Sequence, residues 1–138
     1  MSLREFEPMH EDDARLLSPL QLAYIGDTVW DLLVRSRLLY QGKNLRHMHQ
    51  GAVARVNAAA QSAALQSLSG MLTQQEEDIV RRGRNAHARH PVPKNQDPAD
   101  YQAATALEAL IGYLYVTGQE ERLMTLFTTT QQEEIPCR

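Results

Sequence analysis

Residues 22–34 read LAYIGDTVWDLLV, a run that is apolar around most of a helical circumference. A helix with no polar face has to lie among other helices. This segment therefore sets the architecture: an all-α bundle with residues 22–34 inside it. Ser18-Pro19-Leu20-Gln21 supplies the start, with Ser18 as cap, Pro19 at the first helical position and Gln21 at capping-box spacing. Gln41-Gly42 ends the helix after about Tyr40. A second segment, YQAATALEALIGYLYVTG at residues 101–118, is just as apolar. Its helix is expected from about Ala99 to Val116, closed by Thr117-Gly118.

Each of these helices carries an acid where water is expected to be scarce. Gly26-Asp27 interrupts the first, and Glu108, followed four residues later by Gly112, interrupts the second. A glycine in a helix interior costs roughly 1 kcal/mol against alanine. A buried, unpaired carboxylate costs several times more. Such acids are either ion-paired or turned to solvent, or they meet across a helix–helix contact and share a divalent cation. In the second case the neighbouring glycines let the helices, or a substrate backbone, come close. Asp31 has a simpler account: Arg35 stands at i+4 and predicts an ion pair.

The rest of the chain reads as helix and loop, without repeats, low-complexity tracts or strand alternation. A helical region runs from near Leu45 to about Ser69, with a break expected near Gly51. Thr73-x-x-Glu76 is a capping box that opens a helix to about Arg82. RGRNAHARHPVPKNQDP, residues 82–98, is loop. A last helix spans about Gln119 to Thr129. One domain over residues 18–130 is expected, after an acidic segment at 1–17 and before a polar tail at 131–138.

The net charge of −3 is unevenly spread: −5 over residues 1–31, +7 over 32–96 and −5 over 97–138. A basic middle admits a phosphate-bearing partner despite the acidic total, because binding follows the local field. Arg81, Arg82, Arg84, Arg89 and Lys94 fall in a stretch without acids, with Asn85 and Asn95 as neutral donors. The other reading of that stretch is a solvated surface loop. His47, His49, His87 and His90 lie in the same basic or loop-like regions, where phosphate contact or plain exposure fits better than proton transfer. The acids near the N-terminus predict no export signal, and no apolar run is long enough to span a bilayer. The single cysteine, Cys137, has no partner for an internal disulfide or a zinc site. These features predict a cytoplasmic protein without a membrane partner.

LAYIGDTVWDLLVR resembles the first signature helix of ribonuclease III, and TALEALIGYLY resembles the second. With RRGRNA and VPKN between them, the chain resembles the Mini-ribonuclease III family, a ribonuclease III catalytic domain without a separate double-stranded-RNA-binding domain. The resemblance covers about Ser18 to Phe127. It implies the ribonuclease III helical bundle as a homodimer that cleaves double-stranded RNA with Mg²⁺, for which Mn²⁺ can substitute. Metal-activated water would leave a 5′-phosphate and a 3′-hydroxyl, in maturation of the large-subunit (23S) ribosomal RNA precursor. By motif position Asp27 and Glu108 are the catalytic, metal-binding acids, and Gly26 and Gly112 the close-approach glycines. Arg81, Arg82, Arg84, Asn85, Lys94 and Asn95 are the candidate RNA contacts. Two acids of the full-length pattern are missing, since Ala23 stands at the first-signature Glu and Thr105 at the second-signature Asp. Mini-ribonuclease III is similar in having few acids here. The alternative is a non-catalytic ribonuclease III fold that binds RNA or scaffolds a ribonucleoprotein. Trp30, left over on the first signature helix, belongs either to a dimer interface or to the core.

Overall fold

The computed structural model describes residues 3–87 and 93–131, and these contain seven α-helices and no strand. The order is α1 (Glu11–Leu16), α2 (Pro19–Tyr40), α3 (Leu45–Arg55), α4 (Ala58–Ser67), α5 (Gln74–Arg84), α6 (Pro98–Val116) and α7 (Glu120–Thr130). The most apolar helix, α6, is the centre. It buries its residues on every side, from Ala103 through Leu114 apart from half-buried Glu108. α1, α2, α4, α5 and α7 all pack against it, while α3 rests on α2 and α4. An all-round apolar helix requires such an encircled position.

The ends of α2 follow the local chemistry. Ser18 Oγ accepts from the Gln21 backbone N–H at 3.1 Å, and Gln21 Oε1 accepts from the Ser18 backbone N–H at 2.9 Å. At the far end Gly42 has φ of 75°, a left-handed conformation that glycine enters without a Cβ penalty. α5 opens with the corresponding box between Thr73 and Glu76. Glu76 is nonetheless buried, because Arg122 reaches it from α7 with bonds of 2.8 and 3.0 Å. Burial alone would raise the Glu76 carboxyl. The donors from Arg122 and Thr73 outweigh it and hold the group below its ordinary value.

The region from Leu45 onward does break, but at Val56-Asn57 and not at Gly51. Gly51 lies inside α3, where it fits against Leu38. The break has a side-chain cause. Asn57 Nδ2 donates back to the Val53 and Ala54 carbonyls, both at 3.1 Å, and its Oδ1 accepts from the Ala60 N–H at 2.8 Å. One asparagine thus ends α3 and caps α4.

Trp30 belongs to the core. It is 1% exposed, meets Phe127 edge-to-face at 5.3 Å between ring centroids, and donates from Nε1 to the Arg55 carbonyl. The N-terminal segment is more than surface charge. Ala14 of α1 is fully buried, and the Met9 N–H donates to the Val116 carbonyl at 2.7 Å, strapping the segment to the end of α6. Of the polar tail, Gln131 is buried; residues 132–138 lie outside the described residues.

Candidate active site

Two glycines let α2 cross close over α6. A Cβ placed on Gly26 would lie 1.7 Å from the Glu108 carbonyl oxygen. A Cβ placed on Gly112 would lie 1.9 Å from the Leu22 carbonyl oxygen. Each glycine thus faces the other helix's backbone. No other residue fits at this separation, and the separation brings the neighbouring acids, Asp27 and Glu108, to one place. Asp31, one turn after Asp27, is ion-paired: its Oδ1 accepts from Arg35 Nε at 2.9 Å.

Asp27 is exposed while Glu108 is half-buried. Burial, followed by hydrogen bonding to Asp27 and repulsion from its charge, pushes the Glu108 carboxyl up to about 8. A hydrogen bond between two carboxyl groups needs a shared proton, so the pair carries less than its full charge at neutral pH. Opposing this, Gln61 Nε2 donates to Glu108 Oε2 at 3.3 Å. The donors offered are hard carboxylate oxygens, the kind that Mg²⁺ and Mn²⁺ take. Among the described residues no three His, Cys, Asp or Glu side chains converge as a metal cluster. A cation at this pair would need water or other non-protein oxygens to complete its shell.

Two open hollows flank the acids. One, of about 440 Å³, is lined by Asp27, Thr28, Arg35, His49 and Asn57 among others. The second, of about 610 Å³, is lined by Glu108, Gln61, Asn57, Asn95, Tyr101 and Thr105 among others. Val56 and Asn57 border both. The α3–α4 corner is therefore the sill between the two sides of the site.

The candidate RNA contacts divide. Arg84 and Asn85 are exposed at the C-terminal end of α5, with Asn85 as its cap. Gly83 seats that end on α6, since a Cβ there would be 2.7 Å from Ala106 Cα. Lys94 is exposed and Asn95 borders the Glu108 hollow. Arg81 is also exposed but pairs with Asp78. Arg82 is different, because its guanidinium donates to the carbonyls of Arg15 at 3.0 Å and Leu17 at 3.1 Å. Those bonds tie α5 to the α1–α2 junction, so Arg82 is committed to the fold. Arg89 and His90 lie outside the described residues.

The histidines also separate. His47 is exposed near the start of α3, and His49 borders the Asp27 hollow. His87 packs on the Tyr101 ring at 4.7 Å and meets Thr105 Oγ1 through Nε2 at 2.9 Å. The Thr105 hydroxyl donates to the Tyr101 carbonyl at 3.1 Å. The contact with Thr105 and the Tyr101 ring together hold His87 against the first half of α6. Gln61 and Asn57 are the site residues that sequence reasoning missed. A signal for Gln61 was present: it shares a helical face with Ala64, Leu65 and Leu68, all buried, and a lone polar residue in that register needs a partner.

Residues 20–119 match the Ribonuclease III domain. The chain is 52% identical to a Mini-ribonuclease 3 of Symbiobacterium thermophilum, over 78% of this chain and 82% of that one. The chain belongs to the Mini-ribonuclease III family. A Mini-ribonuclease 3 of Gloeobacter violaceus is 47% identical over 77% of each chain. Another from a Thermoanaerobacter species is 37% identical over 94% of this chain and 92% of its own. A crystal structure of a protein from Fusobacterium nucleatum superposes with a TM-score of 0.79 at 31% identity, covering 89% of this chain and 98% of that one. Membership makes the protein an endoribonuclease of the ribonuclease III type, in a family that acts on double-stranded RNA. Within the described residues no helix is long and apolar enough to cross a membrane.

Proposed function

We propose that this protein is a Mg²⁺-dependent endoribonuclease that cuts double-stranded RNA to leave 5′-phosphate and 3′-hydroxyl ends, in maturation of the 23S ribosomal RNA precursor in the cytoplasm. The observation that supports this reading is the carboxyl pair Asp27–Glu108, set together by two glycines whose only structural effect is to let α2 and α6 touch. A fold that needed stability alone would place apolar residues here. A non-catalytic scaffold has no use for a pair that repels itself.

Asp27 and Glu108 are the residues that would hold Mg²⁺ or Mn²⁺. When bound there, such an ion acidifies water and neutralises charge on the phosphoryl oxygens. Asp27, exposed, would be the ligand open to solvent and to substrate. Glu108 would have to be ionised to serve as a ligand, and its position is set from within the bundle by Gln61. Arg84, Asn85, Lys94 and Asn95 are proposed to grip phosphates and 2′-hydroxyls, since the deep major groove of A-form RNA hides its base edges. The protein is proposed to act as a homodimer, one site for each strand. Trp30 is spent on the core, but Leu20 and Tyr24 on α2 are exposed and available for the contact.

The deciding experiment uses an end-labelled RNA duplex with Mg²⁺ and compares the native protein, Asp27→Asn and the native protein in EDTA. Cleavage of both strands by the first alone is the expected result. Binding without cleavage, on this duplex and on structured ribosomal RNA, would transfer the protein to the scaffold reading.

A further inference from the structure

We propose that Gln61 is a positioning residue for Glu108: its buried amide fixes the direction in which that carboxylate meets a divalent cation. The inference rests on the reading of Asp27 and Glu108 as cation ligands. Gln61 is 4% exposed, and its Nε2 lies 3.3 Å from Glu108 Oε2, with the two residues on different helices. The rest of its helical face, Ala64, Leu65 and Leu68, is apolar core. Packing therefore gives no reason for an amide at this position. Glu108 does, because a long side chain in a half-buried setting has several rotamers, and a bond to Oε2 selects one.

The supporting structure is rigid. Gln61 sits in the first turn of α4, and that turn is locked by Asn57, which bonds Val53 and Ala54 behind it and Ala60 ahead of it. The Asn57 cap thus sets the corner, the corner sets Gln61, and Gln61 sets Glu108. The residue type fits the task. A lysine or arginine here would neutralise the carboxylate and compete with the cation. Another acid would add a third repelling charge. An amide donates a hydrogen bond and leaves the charge for the ion. Partners that orient metal-binding carboxylates commonly govern affinity about as strongly as weak ligands do.

The test measures Mn²⁺ binding to the full chain by electron paramagnetic resonance, beside the melting temperature and duplex binding in EDTA. The variants are Gln61→Met, which keeps the length and removes the donor, and Gln61→Asn, which keeps the amide but falls short of Glu108. Both are expected to weaken Mn²⁺ binding by roughly 10- to 100-fold, with duplex binding in EDTA unchanged. If the variants bind Mn²⁺ as the native protein does, the inference fails while the metal reading stands. A lower melting temperature with unchanged Mn²⁺ affinity of the folded protein gives Gln61 a packing role only, and also overturns it. If the native protein itself binds no Mn²⁺, the failure belongs to the reading of Asp27 and Glu108.

Discussion

Replacing Gly26 by alanine sets two physical effects against each other. Helix propensity favours alanine by roughly 1 kcal/mol in a helix interior. The crossing opposes it, because the new Cβ would lie 1.7 Å from the Glu108 carbonyl oxygen and 2.8 Å from the Gly112 nitrogen. A carbon rests against a carbonyl oxygen at about 3.3 Å or more, so α2 and α6 must part by about 1.6 Å at this point. The obstacle is backbone in the middle of the central helix, and no side chain can rotate to make room. Overpacking of a core costs about 1–3 kcal/mol and sometimes more, and the upper end applies here. The net expectation is a loss of about 2 kcal/mol, which moves the urea midpoint down by about 1 M. Cleavage should suffer further, since a misplacement of about 1 Å in a catalytic group can cost about 100-fold. Urea denaturation followed by circular dichroism, with duplex cleavage measured at a temperature where the variant is folded, reads both effects. A variant as stable as the native protein, with full activity, would refute the crossing as the reason for Gly26.

Glu108→Gln is expected to abolish cleavage and yet stabilise the cation-free protein in alkali. The folded carboxyl is raised to about 8 from an ordinary 4.5. Between those values the folded state holds the extra proton, so native stability declines as pH rises through the window, by at most about 1.4 kcal/mol per unit. Melting curves should coincide near pH 4 and favour the variant at pH 9; a variant less stable at pH 9 would contradict the shift. The same proton must leave when a cation binds, so Mn²⁺ affinity of the native protein should climb from pH 6 to about 8 and then level off, which calorimetry with proton counting can check. Arg84→Ala is expected to weaken duplex binding and flatten its salt dependence by about one unit of slope, with no change in melting temperature. Arg82→Ala should do the reverse, destabilising the fold by about 1–3 kcal/mol as two carbonyls lose their donor, with little change in salt slope.

How much of this was legible beforehand follows from the range of the forces involved. The limits of α2 were readable because capping is local: Ser18, Pro19, Gln21 and Gly42 act within a few residues of each end. Asp27 and Glu108 were readable as a pair because two apolar helices each contained an acid near a glycine, a conflict that local propensity cannot resolve. The break at Asn57 was misplaced at Gly51. Glycine weakens helices in general, but asparagine broke this one by bonding in both directions, and a composition rule does not see direction. Arg82 was grouped with its neighbours by charge. Its carbonyl partners lie more than sixty residues away, and only the fold brings them to it. Gln61 carried a signal, a lone polar residue in register with Ala64, Leu65 and Leu68, but the sequence does not say which distant group it meets.

The missing acids make sense together with the surroundings of Thr105. Its hydroxyl is bonded to His87 Nε2 and to the Tyr101 carbonyl, so the position where the resemblance to ribonuclease III expects an acid is here an uncharged link between α6 and the segment after α5. That link anchors His87, in the segment after α5, to α6. A third carboxylate at Thr105 would push Glu108 further from the charged form that a cation requires. Under the proposed function the site forgoes a ligand at Thr105 and keeps an anchor for the segment after α5. On the proposed reading this has a thermodynamic consequence. A cation with two protein carboxylates is held weakly until substrate phosphate completes its shell. Whatever factor the duplex adds to cation affinity, the cation must add to duplex affinity, because the coupling is reciprocal. The two-acid site is thus one in which metal and RNA bind as a unit, and the Gly26–Gly112 crossing places that unit at a single point on the surface.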